Sequence, residues 1–162
     1  MQMAIEQAKC AAAQDEVPIG AVVVYHLRDK ATDKFIEPER VLAKAFNLRE
    51  TLASPSAHAE FLAMQQASEE LGSWRLTGCT VYVTLEPCIM CAGLMHQSRI
   101  DRCVFGASDP KAGALGTLYR IHADERLNHT FEVTSGVCAD ECGKLLSDYF
   151  SSKRKNKQSD CE

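Results

Sequence analysis

Residues 79–107 read CTVYVTLEPCIMCAGLMHQSRIDRCVFGA, and the fold follows from how this stretch divides. CTVYVTL (79–85) is β-branched and apolar, a strand by propensity. Pro87 stands where proline opens a helix, and 88–99 continues as that helix. RCVFGA (102–107) returns to strand composition. Working outward, IGAVVVYHL (19–27) is a further strand and VLAKAFN (41–47) its return. Between them RDKATDKFIEPER (28–40), charged and carrying Pro38, reads as an exposed excursion. Ser54, Pro55 and Ser56 punctuate the chain. Ser56 is the expected N-cap of a helix from about residue 57 to Leu71, stopped by Gly72.

The ends fit the same scheme. The first stretch, MQMAIEQAKCAAAQDEVPIG, reads as a short Ala-rich helix ending before Pro18. It lacks the positive start and apolar run of a signal peptide. SDPKAGALGT (108–117) is loop, TFEVTSG (130–136) a strand, and 137 to about 155 a long final helix. The apolar set Val137, Leu145, Leu146 and Tyr149 is expected to face a core. The closing SSKRKNKQSDCE is polar and expected to fray. Strands alternating with helices after an initial hairpin predict an α/β sandwich with a mixed sheet. With no repeat and no linker, residues 1–155 form one domain and 156–162 a polar tail.

Composition narrows the class. The chain has 162 residues, 46% hydrophobic and 25% charged, ordinary values for a soluble globular domain with a real core. No apolar run is long enough to cross a bilayer. Eight cysteines without a secretory signal are expected to be reduced thiols of a cytoplasmic protein, either buried or bound to metal. The net charge of −4 leans away from a protein that binds nucleic acid through bulk charge.

Two short segments concentrate the chemistry. SAHAEFL (56–62) places His58 and Glu60 two residues apart in a small, apolar setting. A helix start with incidental polar residues, a corner of a metal site and an acid–base pair all fit. In LEPCIMCAGL (85–94), Cys88 and Cys91 are three apart at a helix start, which points both sulfurs the same way and favours thiolates. A CxxC after a strand also suits a thiol–disulfide redox pair. That chemistry leaves His-x-Glu unexplained. A closed structural zinc site would need a second ligand pair, and Cys138 and Cys142, four apart on a helix, read as core packing. His58, Cys88 and Cys91 make three ligands, and three leave the open position of a catalytic zinc, which lowers the pKa of a bound water to about 7. Glu60 then stands free of the metal to carry protons. His26, His96, His122 and His129 have no ligand-like partners in sequence.

H-x-E followed by P-C-x-x-C, here His58-Ala59-Glu60 and Pro87-Cys88-Ile89-Met90-Cys91, is the known signature of the zinc nucleobase deaminases. Beyond this signature, EVPIGAVVV, HAE, YVTLEPCIMCAG, SRI, VFGASD, RLNH and ADECGKLLSDYF resemble the bacterial tRNA-specific adenosine deaminases, a family of the cytidine/deoxycytidylate deaminase superfamily. The likeness covers most of residues 1–155. It implies a cytidine-deaminase-like three-layer α/β/α sandwich with a central mixed five-stranded sheet. It further implies one Zn2+ per subunit on His58, Cys88 and Cys91, with Glu60 as the proton shuttle. Asn47, Ala59, Val17, Pro18, Leu85 and Asp109 would contact the substrate, and Lys153 and Arg154 would lie near RNA. The implied partner is a tRNA anticodon stem-loop whose wobble adenosine becomes inosine, the implied assembly a homodimer. Two departures stand out: the excursion at 25–40 is longer than the family's hairpin, and Ser151 and Ser152 replace frequent basic residues. A deaminase of free guanine, cytosine or a nucleoside, which the acidic charge suits, and a non-enzymatic zinc module are the alternatives.

Overall fold

The computed structural model describes residues 1–26, 29, 31–32 and 39–159, with side chains as far as Lys155. Helix α1 (Gln2–Ala13) leads into strands β1 (Gly20–Tyr25) and β2 (Arg40–Phe46). Helix α2 (Ala59–Leu71), strand β3 (Cys79–Leu85), helix α3 (Ile89–Gln97) and strand β4 (Arg102–Ala107) follow. A 3-10 turn (Ile121–Ala123), strand β5 (Glu132–Thr134) and helix α4 (Ala139–Ser159) complete the chain. The charged stretch expected as an excursion at 28–40 lies mostly outside the described residues.

The sheet order is β2-β1-β3-β4-β5. β1 runs antiparallel to β2 and β3, and β3, β4 and β5 are mutually parallel. The mixed five-stranded sheet expected from the sequence is therefore present. Alternation along the inner strands sorts their side chains to two faces. Ala21, Val23, Val81, Val83, Cys103 and Phe105 pack with Ala63, Met64 and Ala67 of α2 and Ala92 and Met95 of α3. Val22 and Val24 face the other way, with Ala4 of α1. α4 packs on that second layer against β4, where Gly106 admits it. A Cβ there would lie 2.5 Å from Cys142 Sγ and 2.7 Å from Thr84 O. Of the two cysteines expected to pack in the core, Cys142 is buried, whereas Cys138 precedes α4 in a left-handed conformation (φ 59°) and is exposed.

Element ends differ from the sequence reading in places. The cap of α2 is His58 rather than Ser56. Leu48 N donates to Ala57 O (3.0 Å), which holds residue 57 to the preceding loop and delays the helix by two residues. Gly72 does end α2, in the left-handed conformation (φ 61°). β5 is shorter than 130–136, and α4 runs on to Ser159, past the expected end near 155. Tyr149 is half-buried and turned to the mouth of a cavity rather than to a core.

Candidate metal and catalytic site

The site forms where β3 ends and α2 and α3 begin. His58 caps α2 and Cys88 caps α3, both in extended backbone conformation. Cys91 falls in the first turn of α3. Two helix N-termini thus aim their positive ends at one point, which favours anionic ligands there. His58 Nδ1 lies 3.7 Å from Cys88 Sγ and 3.6 Å from Cys91 Sγ. Tetrahedral zinc, with Zn–S near about 2.3 Å and Zn–N near about 2.05 Å, sets sulfur–nitrogen edges of about 3.6 Å. The donor set therefore fits that ion. Among the described residues these three are the one group of His, Cys, Asp or Glu so gathered. The seven described cysteines are all free thiols.

Glu60 lies beside this group in the first turn of α2, 4% exposed. Burial pushes its carboxyl up to about 7 against the pull of His58. The hydrogen bond from Cys91, opposed by burial and helped by His58, holds the Cys88 thiol down to about 3. Cys91 is driven upward in return by that bond and by burial. His58 is raised, first through its bond to Cys88. Without a metal these groups share protons; a bound dication takes their place.

The cavity reaching His58 measures about 730 Å³, within the range of small-ligand sites. Val17, Ile19 and Asn47 line it, together with Asp15, Arg49 and Glu50 and with Tyr149, Phe150 and Lys153 of α4. Of the residues expected from the sequence, Val17, Asn47, His58 and Lys153 meet here. Pro18 and Ala59 are fully buried. Leu85 ends β3. Asp109 uses its side chain to accept from Lys111 N (2.9 Å) and is not among the lining residues. Arg154 donates to Ser151 Oγ. Lys153 pairs with Asp15, whose carbonyl accepts from the Tyr149 hydroxyl (2.8 Å).

Two buried carboxylates escaped the sequence reading. Glu86, 2% exposed, accepts from Asp109 N (3.0 Å), Leu115 N (3.1 Å), Thr117 N (3.0 Å) and the Thr117 hydroxyl. It moors the 108–117 loop against the turn that delivers Cys88, where Ala114 N also donates to Pro87 O (2.9 Å). Burial raises its pKa, but these bonds prevail and hold it below the usual carboxylate range. Glu16, fully buried, accepts from Asn47 Nδ2 (2.8 Å) and Thr51 N (2.6 Å).

The model of the MafB19-like deaminase family matches residues 1–154. A Bacillus subtilis protein named tRNA-specific adenosine deaminase is 48% identical over 158 residues, 98% of this chain and 91% of its own. The chain belongs to the tRNA-specific adenosine deaminase family. A Haemophilus influenzae member of that name is 42% identical over 98% of this chain and 85% of its own. Among solved structures, one described as "Biochemical and Structural Studies of A-to-I Editing by tRNA:A34 Deaminases at the Wobble Position of Transfer RNA" superposes with a TM-score of 0.78. It is 38% identical and covers 90% of this chain and 97% of its own. The family's cytidine-deaminase-like fold is the one described above.

Proposed function

We propose that this chain is a zinc-dependent hydrolase that converts adenosine to inosine at the wobble position of a tRNA anticodon. One coincidence carries the reading: a His58–Cys88–Cys91 cluster of zinc-sized edges, beside a buried Glu60, in a chain 48% identical to a protein named for that activity.

His58, Cys88 and Cys91 would hold the ion, which when bound would supply an acidified water for attack on the carbon bearing the exocyclic amine. Glu60 accepts a proton from the attacking water. It returns protons to the adenine ring nitrogen and to the departing ammonia, so that adenosine and water become inosine and ammonia. Its burial and near-neutral pKa suit a group that must both accept and donate at pH 7. The base has to leave its stack to enter the cavity, so the substrate is a loop. Asn47 hydrogen-bonds the base and Val17 packs on it. Pro18, Ala59 and Leu85 back the wall, and Asp109 stands on the loop beside the sugar–phosphate chain. Lys153 and Arg154 face the RNA backbone. Residues 1–155 act as one domain with 156–162 as a tail, in a cytoplasmic homodimer. Among the described residues no helix is long and apolar enough to cross a membrane.

The test is inosine formation on an anticodon stem-loop with adenosine at the wobble position, beside free guanine, cytosine and adenosine, with zinc content measured. Turnover confined to the stem-loop and abolished by chelation supports the reading. Turnover of a free base alone sinks the tRNA assignment, and zinc-loaded protein inert on every substrate sinks the deaminase reading.

A further inference from the structure

We propose that Glu16 is a positioning residue for the reaction, acting through Asn47 by fixing how its side-chain amide is turned in the cavity wall. The inference deepens the deaminase reading and rests on it. Burying a carboxylate is costly unless its oxygens are matched by donors. Glu16 is fully buried, and among the described residues no cation pairs with it. Asn47 Nδ2 reaches one oxygen at 2.8 Å and Thr51 N the other at 2.6 Å. Burial works against the charged form, but bonds from Thr51, Glu50 and Asn47 more than offset it, so Glu16 is held ionised at neutral pH.

Three consequences follow for Asn47. Turned about, its amide would set Oδ1 against the Glu16 carboxylate, so only one orientation is bonded. Its backbone N–H is spent on Ile19 O (3.0 Å). The second amide hydrogen and Oδ1 are left for a substrate, in a wall shared with Val17, Ile19 and His58. The same carboxylate, through Thr51 N, ties down the turn that carries Arg49 and Glu50 to the cavity rim. A glutamine cannot replace it: whichever way its amide is turned, an NH2 group faces one of the two donors.

The test is a double-mutant cycle in kcat/KM for inosine formation on the stem-loop, using Glu16→Gln, Asn47→Ala and the pair. Zinc content and thermal unfolding are followed throughout. The expected result is a loss of about tenfold for Glu16→Gln, carried mainly by KM, at full zinc loading. On the Asn47→Ala background the same change then costs less than about twofold. Equal losses on both backgrounds, or no loss at all, overturn the proposal. If Glu16→Gln does not fold, Glu16→Asp, which retracts the acceptors by one methylene, takes its place in the cycle. If that variant also loses zinc or the fold, Glu16 is structural and the proposal fails. A readout without turnover separates this proposal from the deaminase reading. The Asn47 side-chain amide protons should exchange slowly in the wild type and fast in Glu16→Gln; equal rates count against positioning even if the enzyme edits RNA.

Discussion

Replacing Glu60 by Gln separates the proton carrier from the metal site. The side chain is 4% exposed and in the first turn of α2, and Gln has nearly its shape, so fold and zinc loading should survive. Loss of positioned acid–base catalysis lowers kcat by about 10²- to 10⁴-fold. A second consequence concerns metal-free protein. Burial lifts the carboxyl from 4.5 to about 7, so the fold prefers it neutral. That contribution is complete below pH 4.5, fades as the unfolded chain ionises, and is lost once pH passes about 7. The span is worth about 3 kcal/mol, or about 6–12 °C in Tm for a chain of this size. His58, also raised and in part by the Glu60 charge, adds a loss of the same sign, so the difference between wild type and variant reads Glu60 together with its coupling to His58. Single-turnover inosine formation on zinc-loaded protein and thermal unfolding of chelated protein from pH 4 to 8 measure the two effects. Zinc-loaded Glu60→Gln within tenfold of wild type, or parallel unfolding curves, would refute the reasoning.

Three further outcomes follow from contacts outside the metal cluster. Glu86→Gln turns an NH2 toward the donors that moor the 108–117 loop and should cost about 1–3 kcal/mol near neutral pH. Because the Glu86 pKa is lowered, its contribution is present above pH 4.5 and lost as pH falls below it, so wild type and variant should converge in acid denaturation. Gly106→Ala drives a methyl into Cys142 Sγ and Thr84 O and should lower stability by about 1–3 kcal/mol in denaturant titration; Cys142→Ala should recover part of that loss. Asp15→Asn releases Lys153 from its ion pair, and RNA binding followed against salt should tighten, with a log–log slope steeper by about one.

The parts of this architecture that sequence made legible are those whose cause is local. β3, Pro87 and β4 show themselves because propensity and a helix-opening proline act within a few residues. Cys88 and Cys91 share a helix turn, and His58 and Glu60 share a helix start, so spacing alone aligns them. Glu16 and Glu86 carry no such mark. In sequence each is one more carboxylate, and what makes them special is donors 23 to 35 residues away, brought near only by the closed fold. The cap of α2 failed for a related reason. Ser56 has the better side chain, but the tie between Leu48 and Ala57 acts across the loop and decides where the helix starts. Tyr149 sits at core spacing on α4 and yet lines the cavity, where its hydroxyl is held by Asp15 O, 134 residues away in sequence.

The acidic net charge, which by itself argued against RNA, takes a different meaning at the cavity rim. There Arg49 and Lys153 are balanced by Asp15 and Glu50, and Lys153 is tied to Asp15. An exposed ion pair of this kind is worth little, so a substrate phosphate can take the lysine from the aspartate at small cost. Phe150, 46% exposed, stands beside it with Tyr149 in an edge-to-face pair and offers an aromatic face to an unstacked base. On the proposed function, then, attraction to RNA is conditional. A bare polyanion gains little from a rim whose charges are already paired. A loop that fills the cavity gains the aromatic contacts and the freed lysine together. Selectivity for a splayed loop over duplex follows from that pairing rather than from any excess of positive charge.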